Sequence, residues 1–113
     1  MHEMSLAESV LHIIEDAARE QGFSRVKRVT LEIGKLSCVE PEALRFCFDS
    51  VMQGTLVEQA ELQIVEVAGQ GKCEDCAAEF HPESRYDACP ECGNYRIRIT
   101  GGDAMRVYEL EVS

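Results

Sequence analysis

Cys73, Cys76, Cys89 and Cys92 form two Cys-x-x-Cys pairs with 12 residues between them. No other feature so narrows what this chain can fold into. A tetrahedral zinc ion takes four thiolates, and two short turns that each present two of them bring separate segments to one point. The second pair reads Cys89-Pro90-Glu91-Cys92-Gly93. Pro90 fixes one backbone angle, and Gly93 permits the positive φ that a tight knuckle needs. Such a turn aims backbone N–H groups at the sulfurs and spreads their charge. A disulfide pair and a thioredoxin-like redox pair are the alternatives. The redox motif belongs at the start of a helix in a βαβ unit, whereas Pro90 and Gly93 favour a turn. The expectation is structural Zn(II) on Cys73, Cys76, Cys89 and Cys92.

The chain has 113 residues, enough for one modest core and a small satellite. Its 45% hydrophobic content predicts a folded chain. With 21 acidic and 11 basic residues the formal net charge is -10, and a tetrathiolate zinc would add two negative charges. That balance disfavours a surface that tracks phosphates. It suits a metal or protein partner. No export signal is read at the acidic amino terminus, and no apolar run reaches the length of about 18 residues that spans a membrane. Paired thiols then fit a reducing, cytoplasmic setting better than disulfides. Neither nucleic acid nor membrane is expected as a partner.

Hydrophobic periodicity predicts a helix over residues 5–21, with Leu6, Val10, Ile13, Ile14, Ala17 and Ala18 on its apolar face. Ser5 and Glu8 resemble a capping box at its start. Residues 25–33 alternate as a half-buried strand. Pro41 opens a second helix, whose apolar surface is drawn from Leu44, Phe46, Cys47, Phe48, Val51 and Met52. Further strands are predicted over 60–67, 95–100 and Met105 to Val112, the last with Tyr108, Leu110 and Val112 on one face. Gly69-Gln70-Gly71 reads as a hinge before the first cysteine pair. The fold class expected is α+β, with two helices on a small, mostly antiparallel sheet and an inserted four-cysteine, zinc-ribbon-like domain. Residues 1–69 and 104–113 would form the α+β domain, and residues 70–103 the insertion.

A second, weaker metal motif stands at the amino terminus, Met1-His2-Glu3. Histidine at the second position blocks removal of the initiator methionine, which leaves the Met1 amine free. That amine and the His2 amide nitrogen can close a five-membered chelate ring. The His2 imidazole Nδ1 closes a six-membered ring, and the Glu3 amide nitrogen can complete a nitrogen-rich square. Such squares favour Ni(II) or Cu(II) over zinc. The Glu3 carboxylate could steady the imidazole, assist docking, or favour the dipole of the first helix. Taken alone, a histidine at position 2 is more often part of a frayed end.

With these features in hand, the chain resembles the HypA/HybF family of hydrogenase maturation nickel chaperones. The likeness lies in Met1-His2-Glu3-Met4-Ser5-Leu6, in Leu31-Glu32-Ile33-Gly34-Lys35-Leu36, and in Val39-Glu40-Pro41-Glu42-Ala43-Leu44-Arg45-Phe46. It continues through Gly54-Thr55, Ala60-Glu61-Leu62, the cysteine pairs and Glu109-Leu110-Glu111-Val112. The resemblance implies a nickel site at Met1, His2 and Glu3 that carries Ni(II) as transient cargo, beside structural Zn(II). It implies delivery to a [NiFe]-hydrogenase large-subunit precursor with a separate HypB-type GTPase, and urease maturation proteins as further partners. The chain has no phosphate loop of its own, in keeping with that division of labour.

Other candidates read blandly. His12 belongs to the polar face of the first helix, and Cys47, among Leu44, Phe46 and Phe48, is a buried thiol. Cys38 is given no role. His81 could replace a thiolate, but four cysteines already fill a zinc. No catalytic constellation is apparent, so the chain is not expected to be an enzyme. The rival reading is a zinc-ribbon module for protein or nucleic-acid binding. Residues 70–103 carry four basic and seven acidic residues, which disfavours the nucleic-acid form.

Overall fold

The structure is a computed structural model and describes residues 2–113. The elements run α1 (His2–Gln21), β1 (Val26–Gly34), α2 (Pro41–Val51), β2 (Glu61–Val67), β3 (Gln70–Cys73), β4 (Glu79–Phe80), β5 (Ile97–Gly101) and β6 (Met105–Val112). Two three-stranded sheets result, ordered β2-β1-β6 and β4-β3-β5. Two compact units share the chain. The first comprises the chain up to Leu31, Val39–Val65 and Arg106–Ser113, and the second comprises Glu32–Cys38 and Glu66–Met105.

The first unit is built on α1 packed against α2. Its core joins Ala7, Val10 and Ile14 of α1 to Leu44, Cys47 and Phe48 of α2 and to Val26, Val29 and Leu31 of β1. Helix α1 starts earlier than predicted. Ser5 is therefore an interior helical residue and not a cap. The reason is Glu3, an acid in the first turn whose buried carboxylate favours the helix dipole. The buried stripe of α1 runs through Glu3, Ala7, Val10 and Ile14, while Ile13 is 52% exposed. In α2, Pro41 does occupy the first turn, and Glu40 caps the helix by accepting the Glu42 amide. Phe46 departs from expectation. It is 74% exposed, one helical step away from the buried positions 44, 47 and 48.

Strand β1 is central, so it is buried more fully than an alternating edge strand would be. Val26 N donates to Leu56 O at one end, and Lys35 N donates to Val67 O at the other, so β1 and β2 advance in the same direction. Gly34 N to Ala104 O and Ser113 N to Arg25 O make β1 and β6 antiparallel. In β6 it is Met105, Val107 and Leu110 that are half-buried, while Tyr108 and Val112 face solvent. With the antiparallel β3–β4 and β3–β5 pairs, the strand pairing of the chain is mixed but mostly antiparallel.

The second unit corrects the predicted hinge. Gln70 and Gly71 are strand residues, and Gly71 pairs with Phe80 on one side and Ile99 on the other. The glycines serve close packing. A Cβ on Gly69 would lie 2.6 Å from both Leu36 Cδ1 and Pro82 O, and one on Gly71 would lie 2.9 Å from Ile97 Cγ2. Strand β5 begins two residues later than expected. Asn94 and Arg96 spend their carbonyls on the Cys89 and Glu74 amides instead.

Candidate metal centres

Two turns of the same construction carry the four cysteines. In the first, Ala77 N donates to Cys73 O at 2.9 Å and Cys73 N to Ala78 O at 2.9 Å. In the second, Gly93 N donates to Cys89 O at 2.9 Å and Cys89 N to Asn94 O at 2.8 Å. The residue after each second cysteine has positive φ: Gly93 at 77° and Ala77 at 64°. The Gly93 reading is met, and its counterpart Ala77 holds the same conformation against a steric cost of about 1–2 kcal/mol.

These turns gather the sulfurs. All four Sγ atoms lie within 4.8 Å of one another, with Cys73–Cys92 and Cys76–Cys89 each at 3.6 Å. A tetrahedron of zinc–sulfur bonds of about 2.3 Å has edges of about 3.8 Å, so the cluster has the size of a four-thiolate metal site. Cys73 and Cys89 are buried and Cys76 and Cys92 exposed. His81 is not among the clustered groups. Its Nδ1 lies 2.9 Å from the Gly69 carbonyl, which can only accept, so that nitrogen carries the proton.

Backbone amides aim at the sulfurs, as the knuckle argument requires. Amides of Cys92 and Glu91 at Cys89, opposed by burial, hold its thiol down to about 7. The Ala78 amide lowers Cys76, but burial and the three neighbouring thiols overcome it and push Cys76 up to about 12. Cys92 is also raised; there the Asn94 amide is outweighed by burial and by the thiols of Cys73 and Cys89. Without a cation the four sulfurs compete for protons, and a metal relieves that competition by taking all four as thiolates. The arginines beside this cluster are engaged. Arg96 reaches Asp75 at 2.7 Å and Arg98 reaches Glu74 at 3.4 Å, so neither stands ready for a phosphate.

The amino-terminal candidates lie in the first unit. Met1 falls outside the described residues. His2 and Glu3 form the first turn of α1, where backbone N–H groups have no acceptor inside the helix. The His2 side chain is half exposed and Glu3 is buried. Glu3 Oε2 accepts the Glu40 amide at 3.3 Å and lies 3.8 Å from His2 Nε2. The Glu40 amide, Glu3's own amide and His2 together hold the Glu3 carboxyl below its ordinary value, against the opposing effect of burial. Three readings of Glu3 were open from sequence. Its carboxylate joins the start of α1 to the start of α2 beside the imidazole. Glu40 was missed as a partner because its contribution is a backbone amide, which no residue type signals.

Comparison with known proteins gives a consistent picture. A family model described as hydrogenase/urease nickel incorporation, metallochaperone, hypA matches residues 1–112. The hydrogenase maturation factor HypA of Azotobacter chroococcum mcd 1 is 54% identical over 112 residues, covering 99% of each chain. That of Dechloromonas aromatica (strain RCB) is 52% identical with the same coverage. The solution structure of the Ni metallochaperone HypA from Helicobacter pylori superposes with a TM-score of 0.75 at 30% identity, covering 99% of this chain and 97% of the other.

Proposed function

Because this chain belongs to the HypA family of nickel-incorporation metallochaperones, we propose that it binds Ni(II) at Met1, His2 and Glu3 and delivers it to a [NiFe]-hydrogenase large-subunit precursor. On this reading a HypB-type GTPase assists the transfer, and urease maturation proteins are further partners. The nickel-binding part is residues 1–69 with 104–113. Residues 70–103 hold Zn(II) through Cys73, Cys76, Cys89 and Cys92 and act as scaffold and docking module, all in the cytoplasm.

One observation carries the nickel assignment: His2 and Glu3 open a helix, with the Glu3 carboxylate buried at 3.8 Å from the imidazole. At His2, a helical ψ of about -42° holds the His2 and Glu3 backbone nitrogens on the same side, as ligation of one ion by both requires. The His2 and Glu3 amides have no helical acceptor to lose. The helix dipole opposes a cation at this end. Deprotonated amide nitrogens and the buried carboxylate oppose that effect with negative charge. With Nε2 turned toward Glu3, Nδ1 is left for the metal, as the six-membered ring demands.

Zinc suits the second site for a different reason. Four thiolates fill its coordination and leave no open position, which fits a structural ion rather than cargo. The delivery step is tested by mixing nickel-loaded protein with metal-free large-subunit precursor and assaying nickel in the separated precursor. Nickel should appear there faster than from an equal concentration of free Ni(II) buffered at the same activity. Equal rates would contradict delivery.

A further inference from the structure

A cavity of about 260 Å³ opens in the second unit between the 35–38 turn and the 83–86 loop. Leu36, 3% exposed, is its apolar floor, and Tyr86, 86% exposed, lines it on the loop side. Lys35 and Arg85 also line it, with Glu83 as the single opposing charge. It takes no part in either metal centre.

Both sides are fixed in advance. The Leu36 amide donates to Gly102 O at 2.8 Å, and Arg85 Nη2 donates to Leu36 O at 3.2 Å. The Asp87 carboxylate accepts the Glu83 amide at 2.8 Å and the Ser84 hydroxyl at 2.9 Å, which holds the loop bearing Arg85 and Tyr86. A preorganised site loses less entropy when a ligand arrives.

Charge and size decide the occupant. The chain as a whole carries -10, yet here two cations flank an apolar floor. Among the described residues no carboxylate lies within ion-pair distance of Lys35 or Arg85, unlike Arg96 and Arg98 of the same unit. Arg85 donates to a neutral carbonyl and keeps its charge and its other N–H groups. At physiological salt, charges beyond about 8 Å are largely screened, so the local pair outweighs the distant acids. The volume falls below the range of about 300–1,000 Å³ typical of small-molecule pockets and suits one side chain of a peptide. Exposed Tyr beside Arg is the composition of an interface anchor.

We propose that this cavity docks an acidic peptide segment of a partner protein. One apolar side chain sits on Leu36 against Tyr86, and an adjacent carboxylate lies between Lys35 and Arg85. The test uses the zinc-loaded full chain and three labelled hexapeptides: a leucine flanked by aspartates, the same with lysines for aspartates, and the same with alanine for leucine. The leucine–aspartate peptide should bind and shift the backbone amide signals of residues 35–38 and 83–87. Lys35→Glu and Tyr86→Ala should each weaken it by about tenfold or more, as truncation of an anchor does. Zinc content and the remaining amide signals should not change. Equal binding of the lysine peptide, equal binding of the alanine peptide, shifts confined to other residues, or no binding would each overturn the proposal.

Discussion

The four-cysteine cluster and the proposed amino-terminal nickel site are assembled in opposite ways. At Cys73, Cys76, Cys89 and Cys92, paired turns present every donor atom, and the sulfurs stand 3.6 Å apart in two pairs. At the amino terminus the helix places His2 and Glu3 next to each other, and the proposed donors are a half-exposed imidazole and first-turn amides that have no acceptor within the helical ladder. A closed shell of four thiolates exchanges ligands reluctantly and suits a permanent ion. A terminus held on one side by a buried carboxylate can admit a cation and release it. On the proposed reading, retention and transfer differ by how much of the donor set the backbone fixes.

The largest expected break in this contrast is removal of a zinc ligand. Cys89→Ser should abolish stoichiometric zinc and open residues 70–103, since structural zinc supplies about 10–16 kcal/mol of apparent binding free energy to sites of this kind. Proteolysis within that segment and loss of amide protection there are the readouts, with α1 and α2 still protected. Unchanged zinc and unchanged cleavage would place the metal elsewhere. Next in size is Gly69→Ala. Its new Cβ would fall 2.6 Å from the Pro82 carbonyl and Leu36, and overpacking of this kind costs about 1–3 kcal/mol. A lower denaturation midpoint for the second unit is expected; an unchanged midpoint would favour a free hinge at this glycine.

Much of this was legible in the chain, and the failures have common causes. Cys-x-x-Cys spacing, Pro41 and Gly93 each carry a local backbone requirement, so their roles were readable. Both helices and the extent of β6 followed from periodicity, but the face expected for β6, Tyr108, Leu110 and Val112, is not the half-buried one, which runs through Met105, Val107 and Leu110. Gly69 and Gly71 were misread because glycine marks close approach as readily as freedom, and only the neighbours Leu36, Pro82 and Ile97 distinguish the two. Ile13 was placed on the apolar face by helical spacing and Phe46 by its hydrophobicity, yet both lie at the edge of their helix's buried stripe and turn toward solvent. Ala77 was silent because no residue type announces positive φ there. Glu40 escaped notice because its part is played by an amide.

Two smaller effects sharpen the comparison. The Glu3 carboxyl is held below its ordinary value of 4.5, chiefly by the Glu40 amide. Its contribution to folding is therefore fully present above that value and fades as pH falls through the lowered one. Glu3→Gln should lower stability near neutrality and flatten the acid limb of a urea-midpoint profile. A variant profile parallel to the parent would show that the carboxylate is not the titrating group. Ala77→Gly should act the other way and raise stability of the zinc turn by about 0.5–1 kcal/mol, since glycine adopts positive φ without a Cβ penalty. Thermal unfolding of the zinc-bound protein checks it, and a lower midpoint would contradict the strain assigned to Ala77.

The central claim is that nickel is held by the terminal amine, His2 and Glu3 while zinc remains on the four cysteines. It is tested most directly by nickel titration of the untagged, zinc-loaded protein beside His2→Ala and a variant with residues added before Met1. The account predicts one diamagnetic, square-planar Ni(II) per untagged chain, loss of that site in both variants, and full zinc content in all three. Retention of the same affinity and the same square-planar spectrum by the extended variant would contradict it.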